Sequence, residues 1–272
     1  MRDEVAIITG AAHGIGRHFA GEMVDRGYRL VLADIDAEAL DHRFEADDRV
    51  RPVKLDVRDR EGWRSLLDRV IEDWGRIDYL FNNAGVIRPG FAHETELESV
   101  DHMTDVNVKG TMYGTLLASR VMVGQGFGHI VNVASLTGVA PVAGNSVYSG
   151  SKFAVRGFSL AVAHELAGTG VHVTVVCPDL VDTRMLDLQL DYEAAALSFS
   201  GPRPLTVEEV SRALFRAMDK RPMEITLPLD RGLLCKIGNL APRAATVLTN
   251  TLTKKGLKTM RRLKRERSQA VS

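Results

Sequence analysis

Short apolar runs alternate along this chain with longer stretches of helical period, and that alternation predicts the architecture. Val5 to Ile8 is a continuous apolar run, followed by a glycine-rich turn and then by Phe19, Met23 and Val24 at helical spacing. Tyr28 to Leu32 and Val50 to Leu55 read as second and third strands, the latter running into Asp56. Trp63, Leu66, Leu67, Val70, Ile71 and Trp74 recur three and four residues apart, which places them on one helix face. Ile77 to Phe81 and His129 to Ala134 are the fourth and fifth strands, separated by a long helical stretch from Thr95 to Val123. A helix over Ser146 to Ala167 leads to a sixth strand, Val171 to Cys177. Thr206 with Glu209 has the pattern of a capping box for a helix reaching Met218, and Met223 to Leu227 is the last strand.

Strands that are apolar along their whole length and alternate with helices belong to a parallel sheet covered on both faces. No internal repeat and no Pro/Gly/Ser linker divides the chain. The expected fold is therefore α/β: a single doubly wound parallel-sheet Rossmann domain over residues 1–228. Residues 229–272 form a C-terminal extension, first helical and then basic. Ligands of such sheets bind beyond the carboxyl ends of the strands, which is where the motifs below fall.

Composition narrows the function. The 272 residues are 45% hydrophobic and 26% charged, an ordinary balance for a protein with a substantial core. Lys and Arg number 35, as do Asp and Glu, so no overall field draws the chain to nucleic acid. Cys177 and Cys235 lack metal-ligand spacing; no metal site is expected, and two structural thiols fit a reducing compartment. Met1-Arg2-Asp3-Glu4 leads directly into the first apolar run without a signal-peptide pattern. No uninterrupted apolar stretch reaches the roughly 18 residues of a membrane span. A cytoplasmic protein is expected.

Thr9-Gly10-Ala11-Ala12-His13-Gly14-Ile15-Gly16 joins the first strand to the first helix. Gly10, Gly14 and Gly16 permit a tight turn and close approach of a pyrophosphate, while His13 and Ile15 lie within the same turn. The helix N-terminus offers free N–H groups and a positive dipole end to the anion. Asp34 closes the second strand, where a carboxylate accepts hydrogen bonds from the adenosine ribose and repels a 2′-phosphate. NAD is therefore expected over NADP, with His13 and Arg17 as the cations that keep NADP open.

Tyr148 and Lys152 stand four residues apart, on one face of a helix. A phenol titrates near pH 10 and is a poor acid or base at neutral pH; an ammonium close by would lower that value. Ser135, ending the fifth strand, would hold a substrate oxygen beside Tyr148.

With these residues in place, the sequence resembles the short-chain dehydrogenase/reductase family over about residues 5–228. TGxxxGxG is Thr9 to Gly16, the adenine-pocket acid is Asp56 followed by Val57, and NNAG is Asn82-Asn83-Ala84-Gly85. Asn107, Ser135, Tyr148 and Lys152 match the catalytic tetrad. The resemblance implies Tyr148 as general acid/base, Ser135 as donor to the substrate oxygen, and Lys152 lowering the Tyr148 pKa while binding the nicotinamide ribose. It implies Asn107 as holder of a water in a proton relay, and hydride transfer at the nicotinamide with an alcohol or carbonyl substrate. Pro178, Val181 and Thr183 match positions that hold the carboxamide. In place of the family's Pro-Gly the chain has Pro178-Asp179, and Asp179 reads either as a surface acid or as a substrate contact.

Residues 184–205 lie where the family carries its substrate lid. Met185, Leu186, Leu188, Leu190, Tyr192, Leu197 and Phe199 suit a lipophilic alcohol or ketone, although a helix seated on the core would look the same. Beyond them, Pro242 opens a predicted helix carrying Ala245, Leu248, Leu252, Leu257 and Met260, followed by a run of basic residues from Lys254 to Arg267. Such a stripe reads as peripheral contact with an anionic membrane, or as a solvated or partner-binding tail ending in disorder. The resemblance also implies a homodimer or homotetramer through the helices bearing Asn107 and Tyr148. Two other functions are weighed against the dehydrogenase. A regulatory nucleotide-binding protein is disfavoured because the tetrad is filled. The epimerase and dehydratase branch carries TGxxGxxG and a longer substrate domain.

Overall fold

A computed structural model describes residues 3–271 apart from His42, Arg43, Glu45 and Ala241. The chain opens with β1 (Val5–Thr9), α1 (Gly14–Asp25), β2 (Arg29–Asp34), α2 (Ala37–Asp41), β3 (Val50–Lys54) and α3 (Arg60–Trp74). It continues through β4 (Tyr79–Asn82), α4 (Leu97–Met103), α5 (Thr111–Gln125), β5 (Gly128–Val133), α6 (Ser146–Glu165) and β6 (Val171–Pro178). Last come α7 (Arg184–Gln189), a 3₁₀ segment over Glu193–Ser200, α8 (Val207–Lys220), β7 (Glu224–Leu227), α9 (Leu229–Leu240) and α10 (Pro242–Val271). All seven strands pair in parallel in the order β3-β2-β1-β4-β5-β6-β7. The winding reverses between β1 and β4, and a crevice opens at their carboxyl ends.

The continuous apolar runs are explained by two-sided burial. In β1, Ala6 and Ile8 pack against Phe19 and Met23 of α1 and Leu214 and Ala217 of α8. Val5 and Ile7 point the other way, toward Trp63, Leu66 and Val70 of α3, Met122 of α5 and Val162 of α6. Each large apolar side chain removed from water in this way contributes about 1.5–3 kcal/mol. The predicted capping box is present: the Thr206 hydroxyl accepts from Glu209 N at 3.3 Å, and the Glu209 carboxylate accepts from Thr206 N at 2.8 Å.

Two expectations change. The single helix predicted from Thr95 to Val123 is divided by a π-helical segment, Thr104–Gly110. Its wider turn brings Asn107 into full burial and lets Gly110 approach Val57, where an added Cβ would lie 2.7 Å from a Val57 methyl. The C-terminal extension is helical through Val271 and folds back onto residues 184–205, the stretch predicted as a lid. Leu257, Met260 and Leu263 pack against Leu186, Leu190, Ala195, Ala196 and Phe199. Lys264 pairs with Asp191, and Arg267 with Asp182 and Asp187. The apolar side of the predicted tail helix therefore has a partner within the protein. Leu248 stays exposed, and the side chain of Ala245 lies outside those described.

Candidate active site

A cavity of about 580 Å³ runs across the carboxyl ends of the strands, and most of the predicted site residues line it. Its first half is built on the turn after β1. Gly10 adopts φ +67°, and a Cβ on Gly16 would fall 2.1 Å from the Gly10 carbonyl oxygen, so both positions require glycine. The turn is braced from β4: Thr9 Oγ1 accepts from the amides of Asn83 and Ala84, each at 3.1 Å. Asn83 Nδ2 returns bonds to the carbonyls of Thr9 and Gly10 at 3.1 and 3.2 Å. TGxxxGxG and NNAG are thus one structure, in which Asn83 shapes the turn with its side chain. His13 precedes α1 without a side-chain cap, so the first-turn amides of a 12-residue helix are left to an anion.

Asp34 Oδ2 accepts from Ala12 N at 2.9 Å and its Oδ1 from Asp36 N at 3.0 Å. The acid therefore braces the same turn while facing the cavity beside Gly14 and Ile15. His13 Nε2 lies 2.8 Å from Asp36, and that hydrogen bond holds the Asp36 carboxyl below the usual carboxylate range. Asp56 is gripped bidentately by Arg58 at 2.6–3.0 Å, which lowers its pKa in the same way. Val57, beside it, accepts from the buried Trp63 indole at 3.0 Å. Glycines and free amides placed this way fit a dinucleotide, and the acid at the end of β2 fits its ribose.

Of the residues predicted as catalytic, Ser135, Tyr148 and Lys152 line the cavity beyond Ala84 and Gly85. Ser135 follows β5 and its Oγ accepts from Thr137 N at 3.2 Å. Tyr148 and Lys152 sit one turn apart on α6, only 8% and 4% exposed. Lys152 Nζ donates to Val133 O at 3.0 Å and stands 5.7 Å from the centre of the Tyr148 ring. Burial pushes the Tyr148 phenol up to about 12, with the Ser135 hydrogen bond pulling against it, and pushes Lys152 down to about 8. Lys152 is not among the groups that shift the phenol here; the lowering expected from the ammonium is joined, in that expectation, to the charge of an oxidised nicotinamide. Such a phenol stays protonated near neutral pH and holds its proton more tightly than a free phenol does.

Residues 4–193 match the family described as short chain dehydrogenase. An uncharacterized oxidoreductase of Staphylococcus saprophyticus is 33% identical over 230 residues, covering 78% of this chain and 97% of the relative. The chain belongs to the short-chain dehydrogenase family. Among solved structures, a serine dehydrogenase in closed form complexed with NADP+ aligns at TM-score 0.73 and 32% identity, covering 82% of this chain and 93% of the other. A short-chain dehydrogenase/reductase from Burkholderia phymatum in complex with NAD aligns at TM-score 0.80 and 29% identity, covering 90% and 97%. The protein is an NAD(P)-dependent oxidoreductase of that family.

In this short-chain dehydrogenase two residues stand differently from expectation. Asn107 does not line the cavity. Its side chain accepts from Val86 N at 2.8 Å and donates to Val86 O at 2.9 Å and to Ser151 Oγ at 3.1 Å, pinning the strand end beside Gly85. Asp179 is neither a surface acid nor free to bind: its carboxylate, 13% exposed, meets Arg231 Nε at 2.5 Å. Burial raises its pKa and Arg231 opposes that rise. Pro178, Val181 and Thr183 line the cavity as expected. Sequence reasoning missed Arg58 and four wall residues from the extension: Arg231, Cys235, Thr249 and Leu252. The single advance signal was Asp179, a charge in a glycine's place with no local partner.

Proposed function

We propose that this dehydrogenase transfers a hydride between NAD(H) and a lipophilic secondary alcohol or its ketone. The observation that carries the reading is the pairing of Ser135 with the buried Tyr148, placed where the glycine-lined half of the cavity meets an apolar half. In the reducing direction Ser135 orients the carbonyl oxygen and Tyr148 gives it a proton. Lys152 holds the end of β5 through Val133 O and keeps a positive charge beside the phenol. The nicotinamide, when bound, would supply or accept the hydride, and its oxidised form would add a positive charge that lowers the Tyr148 pKa and populates the phenolate able to take a proton. The Asn107 side chain is occupied, so a proton relay through this residue uses its backbone carbonyl within the π segment.

Asp34 supports NAD, since a 2′-phosphate would meet its carboxylate. Ile87, Leu136, Val142, Met185, Leu197 and Leu252 support a lipophilic substrate. A screen of alcohols and ketones with NAD and NADP in parallel, read by nicotinamide absorbance, tests both. Tyr148→Phe is expected to lower turnover about 10²–10⁴-fold and to leave cofactor binding intact; unchanged turnover refutes the mechanism. No turnover of any substrate, together with tight cofactor binding, would favour the regulatory reading.

We place subunit contacts on the helices bearing Asn107 and Tyr148, the π segment with α5 and then α6; exposed Leu116 and Val123 on α5 support this, and a monomer by light scattering refutes it. Peripheral contact with an anionic bilayer is placed on the extension. It is supported by exposed Leu229, Leu233, Leu234 and Ile237 on α9, and by Lys254, Lys258, Arg261 and Arg265 on the outer side of α10. Failure to sediment with phosphatidylglycerol vesicles refutes that contact.

A further inference from the structure

Two partly buried ion pairs tie α9 to the sheet: Arg231–Asp179 at the cavity and Lys236–Glu224 on β7. Asp179 directly follows β6, and its amide donates to Leu227 O at 2.8 Å, so its backbone is fixed to the end of β7. Arg231 lies in the first turn of α9. The pair also abuts the far end of the lid: a Cβ on Gly201 would lie 3.3 Å from Arg231 Nη1 and 3.4 Å from Asp179 Oδ2. Three elements, the end of β6, α9 and the chain leaving the 3₁₀ segment, therefore meet at two side chains.

The lid between them is gripped from both sides. A Cβ on Gly256 of α10 would lie 1.8 Å from Ala196 O, and one on Gly144 would lie 1.9 Å from Ala194 O. Asn145 Nδ2 adds a bond to Ser198 Oγ at 3.0 Å. Gly144 and Asn145 lead directly into α6 and Tyr148, so lid position and catalytic position are linked. The outer pairs of α10 are half-exposed and contribute little each.

The Arg231–Asp179 pair is of another kind. Taking two charges even partly out of water is costly, and an apolar pair of equal volume would often hold helices together as well. Geometry is what an ion pair adds: it fixes α9 in one position over the cavity.

We infer that α9 and α10 form a strap completing the substrate pocket, latched by Arg231 on Asp179, and that the pair is a positioning device for substrate specificity. The inference rests on the cavity being the substrate site, as proposed above. Cys235 and Leu252 make the strap's inner surface, so a substrate is held between Tyr148 and the extension. Most cofactor contacts lie on the other half of the cavity; Pro178, Val181 and Thr183 flank Asp179, but the pairing of β6 with β7 and the Asp179 amide bond to Leu227 O hold that backbone without the latch.

The two thiols allow a test that needs no substrate. Cys177 is completely buried, whereas Cys235 is half-buried in the cavity wall, so alkylation by N-ethylmaleimide reports on Cys235. In the full-length protein Arg231→Ala is expected to speed that reaction at least about tenfold and to raise hydrogen exchange across residues 193–200, because local opening becomes less costly. NADH affinity should stay within about twofold. The charge-swapped Asp179→Arg, Arg231→Asp protein should return both rates toward wild type, which loss of packing alone would not explain. With a substrate from the screen, Arg231→Ala should raise KM at least about fivefold and leave kcat within about twofold. Wild-type thiol reactivity and exchange in Arg231→Ala overturn the latch. If that variant does not fold, Asp179→Asn takes its place: faster alkylation and exchange support the latch, and wild-type rates overturn it. Absence of any turnover would count against the proposed function, while the thiol and exchange data still decide the latch.

Discussion

Lys152→Met is expected to make the protein more stable and inactive at once. Burial lowers the Lys152 pKa from its ordinary 10.5 to about 8. The folded state therefore holds this proton less tightly than the unfolded chain does. Below pH 8 both states carry it, and folding bears the whole cost of burying the charge, about 3 kcal/mol. Between pH 8 and 10.5 the folded protein has released the proton and the unfolded chain still binds it, so stability rises with pH across that window. Methionine keeps an unbranched side chain without the charge, and what it removes is the 3.0 Å bond to Val133 O, worth about 1 kcal/mol. The net gain at pH 7 is about 2 kcal/mol, or roughly 4–8 °C in Tm. Urea unfolding of both proteins at pH 7 and pH 10 measures it, because groups common to both cancel in the difference. The gap should shrink toward zero by pH 10, while turnover at pH 7 falls about 10²-fold or more. A variant less stable than wild type at pH 7, or a gap that does not change with pH, would refute the reasoning.

Other outcomes follow from the cofactor half. Asp34→Ala removes the charge facing the ribose and two braces on the turn, so the ratio of kcat/KM with NADP to that with NAD should rise about tenfold or more; an unmoved ratio refutes the role given to Asp34. Gly16→Ala places a methyl 2.1 Å from Gly10 O and should weaken NADH binding, followed by fluorescence titration, by about 100-fold or more; normal binding would show that the turn tolerates a side chain. Thr206→Ala serves as a contrast, losing about 1 kcal/mol of stability through the cap of α8 with turnover unchanged.

The parts of the site that could be read in advance are the ones written locally. Gly10, Gly14 and Gly16 lie within one turn, Tyr148 and Lys152 within one helix turn, and the capping box at Thr206 within four residues. Their geometry follows from chain connectivity and secondary-structure period, so spacing sufficed. The bracing of Gly10 by Asn83 joins two motifs that were each visible, although their hydrogen bonds were not. The division of the helix between Thr95 and Val123 was invisible, because the π segment answers to Val57, Val86 and Ser151, all outside the stretch itself.

By itself the sequence determined the succession of strands and helices, the glycine-rich turn and the candidate catalytic side chains, since each depends on residues close together along the chain. Tertiary structure decided the rest. It shifted the pKa values of Tyr148 and Lys152, because they depend on how much water the fold removes. It turned Asp179 from an open question into half of an ion pair, because Arg231 arrives from α9. And it gave the apolar side of α10 a partner, because Leu257 and Met260 find the lid only once the chain has folded back over its own active site.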